Sequence, residues 1–257
     1  MIPDYDKIVA YTALHYGSDY LGYAIRSIIN DVSEYVVLYS PVGSHGHQTD
    51  MPCPDTRETL YDIAQEAAGD KLRWFDGQWP HEGAQRDNIF EIAGDAHAIV
   101  VLDADEIWPS GLLLDAVGVT STWAHRNIRI PMWHYWRSFK QGFMHDPAYP
   151  VRVIHPHWNN NNGDATFTRR GSDTPMSSRV IHHLGYAQRS EIVKYKLLTH
   201  GHRNEIRRDC DWFTDIFMNP ARKTDLHLVG SDQWNVEPIE TPDFMMDHPY
   251  AQLEIIE

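Results

Sequence analysis

Short apolar runs alternate with amphipathic segments through the first half of the chain. Runs rich in β-branched residues predict buried strands at 7–14, 35–41, 72–75 and 98–103. Apolar residues at helical spacing predict three helices between them: one capped by Ser18, one starting at Asp55 with Glu58 in a capping box and ending at Gly69, and one over 82–94. Because parallel strands need such crossovers and have both faces covered, the pattern predicts an α/β fold. Its sheet is expected to be mostly parallel and doubly wound, with helices on both faces.

The second half of the chain is less regular. Strands are predicted over 127–139, 149–158 and 178–186, and helices over 190–199, capped by Ser190, and over 204–218. The long polar stretch 159–175 has few apolar residues to anchor it, which is typical of a flap. From 224 onward we expect an acidic tail that packs in extended form. No repeat and no second domain is apparent, so 1–257 is predicted to be a single domain.

The composition is ordinary for a globular protein. Of the 257 residues, 42% are hydrophobic and 23% are charged. No run approaches the roughly 20 apolar residues that a membrane span needs. The first residues lack the basic-then-apolar signature of a secretory signal, and the two cysteines, Cys53 and Cys210, are not in a metal-binding spacing. We therefore expect a cytoplasmic protein with reduced cysteines.

The net charge of −14 is unevenly distributed along the chain. Residues 1–125 hold 6 Lys and Arg against 20 Asp and Glu, whereas residues 126–223 hold 16 against 8. The last 34 residues contain 8 acids and no Lys or Arg. A basic central region predicts an anionic ligand; the alternative is a solvated surface that happens to carry arginines.

The stretch AIVVLDADEIWP, 98–109, carries the main candidate for chemistry. An apolar strand ends there in Asp103, Asp105 and Glu106. In doubly wound sheets ligands bind beyond the carboxyl ends of the strands, and an Asp-x-Asp pair suits Mg²⁺ or Mn²⁺ together with the phosphate oxygens of a substrate. The alternative is an acidic turn that caps the next element.

Three segments in this half resemble a GT-A glycosyltransferase of the family 2 type, which uses sugar nucleotides. They are IVAYTALHYGSDYLGYAIRSI, EGAQRDNIFEIA and IVVLDADEIWP. The resemblance covers roughly 7–110 and becomes patchy through about 205. It implies a Rossmann-like GT-A domain with a nucleotide-sugar-binding half over 1–110, an acceptor-side half over 111–223 and the acidic tail over 224–257. The implied activity is transfer of a hexosyl group, with inversion, from a nucleoside-diphosphate sugar, expected to be a UDP-sugar.

The resemblance also implies roles for single residues. The implied nucleotide contacts are Tyr11, Thr12, Ala13, Ser40, Pro41, Arg86 and Asp103. Arg86 is expected near the diphosphate because a guanidinium pairs well with phosphate; otherwise it is a surface arginine of its helix. Asp105, with Asp103, would bind Mn²⁺ or Mg²⁺, and the ion would stabilise the leaving diphosphate as a Lewis acid.

A downstream histidine often completes the metal site of related enzymes. In VIHHLGY, strand alternation sends His182 and His183 to opposite faces. We expect His183 to be the ligand and His182 its substitute, and either one could instead be a structural histidine. His200 and His202 are further candidates, with helix-end capping as their alternative role.

An inverting transferase also needs a base that takes the proton of the acceptor hydroxyl. We expect a carboxylate between the Asp-x-Asp and the histidine strand, with Asp173, Asp164, Asp146 and Glu106 as candidates in that order. The alternative for each of them, which the sequence favours, is an ordinary loop carboxylate.

The acceptor side is predicted to be aromatic and cationic. The segment 132–139 crowds Trp133, His134, Tyr135, Trp136 and Phe139 together, and cationic residues nearby are Arg126, Arg129, Arg137, Lys140, Arg152, Arg169 and Arg170. Aromatic rings stack on sugars and bases, and cations bind phosphates. We therefore expect an anionic acceptor, a hydroxymethylpyrimidine of DNA of the kind found in bacteriophages. A polysaccharide, lipid-linked or protein acceptor is the alternative.

Two hypotheses from other classes of protein remain open. A nucleotidyltransferase also has a doubly wound sheet and an acidic metal site, but it normally carries a basic glycine-rich loop after the first strand, and ALHYGSDYLGY has none. A non-catalytic nucleotide- or sugar-binding module would use the acidic cluster only structurally.

Overall fold

The structure, a computed structural model, describes residues 7–120, 127–144, 150–156, 173–175, 179–201, 203–219, 221–226, 228–229 and 235–256. Its helices are α1 (Ser18–Ile28), α2 (Arg57–Ala68), α3 (Glu82–Ala93), α4 (Leu112–Thr120) and α5 (Ser190–Thr199). Its strands are β1 (Ile8–Leu14), β2 (Glu34–Tyr39), β3 (Leu72–Asp76), β4 (Ala98–Val101), β5 (Glu106–Ile107), β6 (Asn127–Arg129), β7 (Met132–Trp136), β8 (Gln141–Met144), β9 (Val151–Ile154), β10 (Asp173–Pro175), β11 (Ile181–Tyr186) and β12 (Glu237–Pro238). None of the described helices has the length and apolar character that crossing a bilayer requires.

The main sheet is mostly parallel, as predicted. It has seven strands in the order β10-β6-β9-β4-β1-β2-β3. Strands β1 to β4 run parallel to one another, and β10 runs parallel to β6. Only β9 is antiparallel, both to β4 and to β6. The carboxyl ends of β1, β2 and β4 therefore meet at one edge of the sheet.

A second sheet of five strands, in the order β12-β8-β7-β11-β5, starts where β4 ends. The two residues of β5 follow the Asp-x-Asp turn directly and pair antiparallel with β11, so that Glu106 lies opposite His183. This short pairing joins the carboxyl end of the main sheet to the histidine strand.

Helices cover both faces of the main sheet, as the alternating pattern predicts. In β1, Ile8 and Ala10 pack in a core with apolar residues of α1, α2 and α4. Val9 and Tyr11 point to the other face and pack with Ile89 of α3. Burial of these apolar faces holds the helices on the sheet, and the fold class is an α/β fold with helices on both faces.

The predicted strand 127–139 is wrong in its extent. It consists of two strands, β6 and β7, that belong to different sheets. Pro131 separates them; it has no N–H to donate to a strand neighbour and restricts the backbone of Ile130. The chain therefore leaves the main sheet at this point and enters the second one.

The predicted helix 204–218 is also wrong. Within it, Arg203–Glu205 forms a 3₁₀ turn and Trp212–Phe217 a π-helical turn. Between them, the guanidinium of Arg207 donates to Asp209 at 2.8 and 2.5 Å, and the backbone N–H of Arg207 donates to Leu228 at 2.9 Å. These bonds replace helical ones. Trp212, Ile216 and Phe217 are buried in one cluster all the same, and Ile206, Cys210 and Phe213 pack against it partly buried.

The helix caps differ from the prediction, whereas Gly69 ends α2 as predicted. Ser18 is the first residue of α1, not its cap; Ser190 likewise begins α5. Asp55 caps α1 from a neighbouring loop: its carboxylate accepts the backbone N–H of Gly17 at 2.7 Å, that of Ser18 at 3.0 Å, and the Ser18 hydroxyl. Thr56, instead of Asp55, caps α2.

Part of the acidic tail packs on the fold. Met245, Ala251 and Ile256 are buried together with Phe139 and Leu184. The predicted extended tail is therefore interrupted by a 3₁₀ turn at Asp243–Met245 and takes part in the core of the second sheet.

Asp55→Ala should lower the free energy of unfolding by about 1–2 kcal/mol, because it removes the acceptor of the first N–H groups of α1. Urea denaturation measures the change, with the exposed Asp50→Ala as the matched control. Equal stabilities of the two variants would show that Asp55 is not a helix cap.

Candidate active site

A cleft of about 220 Å³ lies at the carboxyl ends of β1 and β4. Among the residues that sequence reasoning singled out, Ala13, Arg86, Asp103, Asp105, His183 and His200 line it. They come from both sheets and from α3, and the β5–β11 pairing brings the histidine strand to the Asp-x-Asp turn. The cleft therefore brings together six of the residues for which the sequence predicts a functional role.

Asp103 is held between two arginines. The guanidinium of Arg86 in α3 donates to Oδ1 at 2.7 Å, and that of Arg152 in β9 donates to Oδ2 at 2.8 Å. Burial by itself would raise the pKa of Asp103, but the charges of Arg86 and Arg152 outweigh it and hold this pKa well below its usual range. Asp103 is therefore a fixed anion, and its two oxygens are both engaged.

Glu106 lies behind Asp103 and is fully buried. Arg152 donates a hydrogen bond to its Oε1, and the backbone N–H of Asp103 donates to Oε2 at 3.3 Å. Burial raises the pKa of Glu106 to about 8, although Arg152 acts in the opposite direction. Glu106 does not line the cleft. Its hydrogen bond with Arg152 positions that guanidinium beside Asp103.

Asp105 points into the cleft and has a different partner. The ammonium of Lys196 in α5 donates to Oδ2 at 3.1 Å, and His183 Nε2 lies 3.6 Å from Oδ1. Burial would raise the pKa of Asp105, but the nearby Lys196 charge and His183 lower it. Gln188 adds a longer contact, 3.5 Å from its Nε2 to Oδ2.

The two histidines of β11 point to opposite sides, as strand alternation predicts. His183 faces the cleft, and its Nδ1 shares a hydrogen bond of 2.8 Å with Nδ1 of His134 in β7. His182 shares a hydrogen bond of 2.8 Å with the hydroxyl of Tyr135 on the far side. Burial lowers the pKa of both His182 and His183 to about 4, so both are neutral at pH 7. His183 therefore presents Nε2 next to Asp105.

Gly185 leaves the space that this arrangement needs. A Cβ at this position would lie 2.5 Å from Cε1 of His183 and 2.8 Å from the ammonium nitrogen of Lys196. Both distances are shorter than a carbon atom allows. A side chain at position 185 would force His183 or Lys196 to shift from its place beside Asp105.

The other predicted nucleotide contacts lie outside the lining of the cleft. Tyr11, Thr12 and Ser40 are buried, and Pro41 is exposed. Thr12 donates to the backbone oxygen of Leu102 at 2.7 Å, so it ties β1 to the end of β4. Thr12 therefore helps to hold together the two strand ends that border the cleft.

The predicted base candidates are only partly described. Asp173 begins β10, paired with Asn127 of β6, and nothing is described of its side chain. Asp164 and Asp146 lie outside the described residues, as does His202. The carboxylates that line the cleft within the described residues, those of Glu82, Asp103 and Asp105, all pair with cations.

The predicted cationic acceptor surface is smaller than expected. Arg152 is buried against Asp103 and Glu106, and Arg137 is buried with its guanidinium over the ring of Phe217. Lys140 pairs with Glu254 at 2.5 Å. Arg126, Arg169 and Arg170 lie outside the described residues. Arg152 and Arg137 thus serve the interior of the protein and not an exposed acceptor surface.

Sequence reasoning missed Lys196 and Gln188 as site residues, and it assigned Arg152 to the acceptor surface instead of to the Asp-x-Asp turn. Lys196 is one of two lysines in an ordinary helix, and Arg152 lies in a short strand. No motif surrounds them. They reach the Asp-x-Asp turn only because α5 and β9 pack beside it.

The residues around Asp105 fit a divalent cation that arrives with a diphosphate. The described residues contain no group of three or more His, Cys, Asp or Glu side chains that could hold a metal ion. Two ligands face each other, however: Oδ1 of Asp105 and Nε2 of the neutral His183, 3.6 Å apart. Mg²⁺ and Mn²⁺ commonly take one or two protein ligands and complete their shell with phosphate and water oxygens. Asp103, engaged by two arginines, is not available in the same way.

Gly185→Ala should lower the free energy of unfolding by roughly 1–3 kcal/mol, because its Cβ overlaps the ring of His183. A double-mutant cycle with His183→Ala tests whether this overlap is the cause. In the His183→Ala background, the loss of unfolding free energy caused by Gly185→Ala should fall by more than half. An unchanged cost in the His183→Ala background would contradict the assigned clash. Urea denaturation measures all four variants.

Comparisons with known proteins give weak similarities. No family model and no curated protein matches the chain. Among solved structures, Staphylococcus aureus TarS 1-349 has a TM-score of 0.47 at 11% identity, over 83% of this chain and 71% of that one. The same protein in complex with UDP-GlcNAc has a TM-score of 0.45 at 15% identity, over 69% and 58%. The galactosyltransferase LgtC has a TM-score of 0.35 at 14% identity, over 60% of each chain. These scores lie below 0.5, so the similarities assign no function to the chain.

Proposed function

We propose that the protein is a glycosyltransferase that moves a sugar from a nucleoside-diphosphate sugar to an acceptor hydroxyl. The observation that carries this proposal is the cleft at the carboxyl ends of β1 and β4. There an Asp-x-Asp turn lies between two cations, Arg86 and Lys196, that come from different helices. Ligands of doubly wound sheets bind at this edge, and the two cations suit a diphosphate.

Arg86 and Lys196 are proposed to bind the diphosphate. Both line the cleft and both pair with carboxylates of the Asp-x-Asp turn. As the glycosidic bond breaks, negative charge grows on the leaving diphosphate, and fixed cations stabilise it. His15, hydrogen-bonded to the backbone oxygen of Ser40 at 2.9 Å and to the hydroxyl of Tyr195 at 2.8 Å, forms the wall proposed for the nucleoside.

Asp105 and His183 are proposed to hold the divalent ion, Mn²⁺ or Mg²⁺. When bound, the ion adds Lewis-acid stabilisation of the leaving diphosphate. His134 fixes the ring of His183 through the Nδ1–Nδ1 hydrogen bond, and this leaves Nε2 directed at Asp105. Such partners behind a ligand orient it and tune its basicity.

For an inverting reaction, the base is proposed to come from the chain between β8 and β11. Glu82, Asp103 and Asp105 are anions that are held by cations, and Glu106 is buried away from the cleft. Asp173 and Asp164 therefore remain the candidates for the base, with Asp146 after them.

For the acceptor we propose DNA that carries hydroxymethylpyrimidine bases. The surplus of Lys and Arg over Asp and Glu in residues 126–223 supports it. The test is binding of the full chain to duplex DNA at several salt concentrations. Affinity should fall steeply as salt rises, and Arg169→Ala with Arg170→Ala should flatten that slope. Absence of binding at low salt would leave a polysaccharide, lipid-linked or protein acceptor.

The donor reaction is tested by hydrolysis of a panel of UDP-sugars with Mn²⁺ present. Asp105→Asn should lower turnover roughly 100-fold, because it removes the charge that organises the cation and Lys196. The exposed Asp70→Asn is the matched control and should behave like the parent protein.

Three outcomes separate the classes. Release of UDP that depends on Asp105 supports the glycosyltransferase. Release of pyrophosphate from a nucleoside triphosphate with a sugar phosphate would show a nucleotidyltransferase instead. Donor binding without turnover under any condition would show a non-catalytic module.

A further inference from the structure

The charges of the cleft are already paired by the protein itself. Arg86 bonds to Asp103 at 2.7 Å and to Glu82 at 2.6 Å. Lys196 bonds to Asp105 at 3.1 Å. Among the described residues, each carboxylate of the Asp-x-Asp turn thus has a cationic partner before any ligand enters. A metal ion that enters by itself would have to compete with these cations.

Lys196 is the cation that such an ion would meet. Its ammonium shares the carboxylate of Asp105 with His183, and its place is kept open by Gly185. Its nitrogen also lies over the ring of Tyr186, 5.6 Å from the ring centroid. An ion bound to Asp105 and His183 would be held beside this ammonium, and the two positive charges would repel each other.

A diphosphate removes this conflict. Its oxygens can accept a hydrogen bond from Lys196 and bind the divalent ion at the same time. The negative charge of the diphosphate then lies between the two positive charges. A lysine side chain has a flexible four-carbon stem, and the Lys196 side chain keeps 26% of its surface exposed. It can therefore turn from the carboxylate towards a phosphate without a change of the fold.

We propose that Lys196 is the resident counter-cation of Asp105 and makes divalent-cation binding conditional on the diphosphate. In the free protein the ammonium neutralises Asp105 and excludes the ion. When the nucleotide enters, the ammonium pairs with the phosphate, and Asp105 and His183 take the ion. The second step rests on the proposed function, whereas the first concerns only this chain and the metal.

By thermodynamic linkage, the nucleotide and the ion must raise each other's affinity by the same factor. Lys196 sets a large part of that factor, because it lowers ion binding only in the absence of the nucleotide. Removing its charge should therefore strengthen binding of the ion alone and weaken the coupling. If Lys196 merely packed against Asp105, its replacement would neither strengthen binding of the ion alone nor weaken the coupling between ion and nucleotide.

The experiment measures binding of Mn²⁺ to the full chain by the electron paramagnetic resonance signal of the free ion, with and without UDP. Lys196→Gln removes the charge but keeps an amide donor for Asp105. Without UDP, it should bind Mn²⁺ about tenfold or more tightly than the parent protein. UDP should raise the Mn²⁺ affinity of this variant much less than it raises that of the parent protein. Adding Asp105→Asn should abolish the gain, which places the ion at Asp105.

Lys194→Gln is the matched control. Lys194 lies in the same helix, but it is exposed and its ammonium lies over the ring of Phe213, away from the cleft. This variant should bind Mn²⁺ as the parent protein does. Lys196→Arg keeps the charge and should keep the low affinity for Mn²⁺ alone; it also serves if Lys196→Gln proves unstable in thermal melts.

Equal Mn²⁺ affinity of the parent protein and Lys196→Gln in the absence of UDP would overturn the proposal. So would Mn²⁺ affinity in Lys196→Arg as high as in Lys196→Gln. A tighter Mn²⁺ site in Lys196→Gln that UDP leaves unchanged in every variant would support the counter-cation role and count against the nucleotide-dependent function. The two failures are therefore distinguishable.

Discussion

The structure of the cleft depends on one buried carboxylate, Asp103, and the two arginines that hold it. Arg86 arrives from α3, on one face of the main sheet, and Arg152 from β9, the antiparallel strand next to β4. Removing either arginine would take away one of the two cations that compensate the buried charge of Asp103, and the loss of a partner of a buried charge is costly in proteins. Asp103 and its two arginines thereby fix the turn that carries Asp105, because only Ala104 separates the two aspartates.

The same turn also joins the two sheets. Directly after it, Glu106 enters the second sheet opposite His183. The carboxyl group of Glu106 accepts a hydrogen bond from Arg152. The charge network and the strand pairing therefore depend on each other: the register of β5 places both the partner of Arg152 and the histidine that faces Asp105. This explains why a strand of only two residues has a large effect on the geometry of the cleft.

The sequence allows much of this fold to be predicted, because β1 to β4 and α1 to α3 have clean apolar periodicity and short connections. The position of the Asp-x-Asp turn at a ligand-binding edge follows from the same alternation. The partners of the aspartates could not be predicted: Arg152 is 49 residues from Asp103, and Lys196 is 91 residues from Asp105. Neither lies in a motif, and both contacts depend on how β9 and α5 pack. The break at Pro131 and the π-helical turn at Trp212–Phe217 are tertiary effects as well, since local apolar spacing continues through both.

The two cations of the cleft differ in how firmly they are held, and the difference separates their roles. Arg86 bonds to two carboxylates, and its side chain is only 11% exposed, so it is a fixed part of the wall. Lys196 has one carboxylate partner and more exposure, and a point charge on a flexible stem changes partners more readily than a planar guanidinium. A fixed cation lowers the cost of reorganisation when charge develops on a ligand, whereas a movable one can respond to whether a ligand is present. The cleft therefore combines a permanent electrostatic support at Asp103 with an exchangeable one at Asp105.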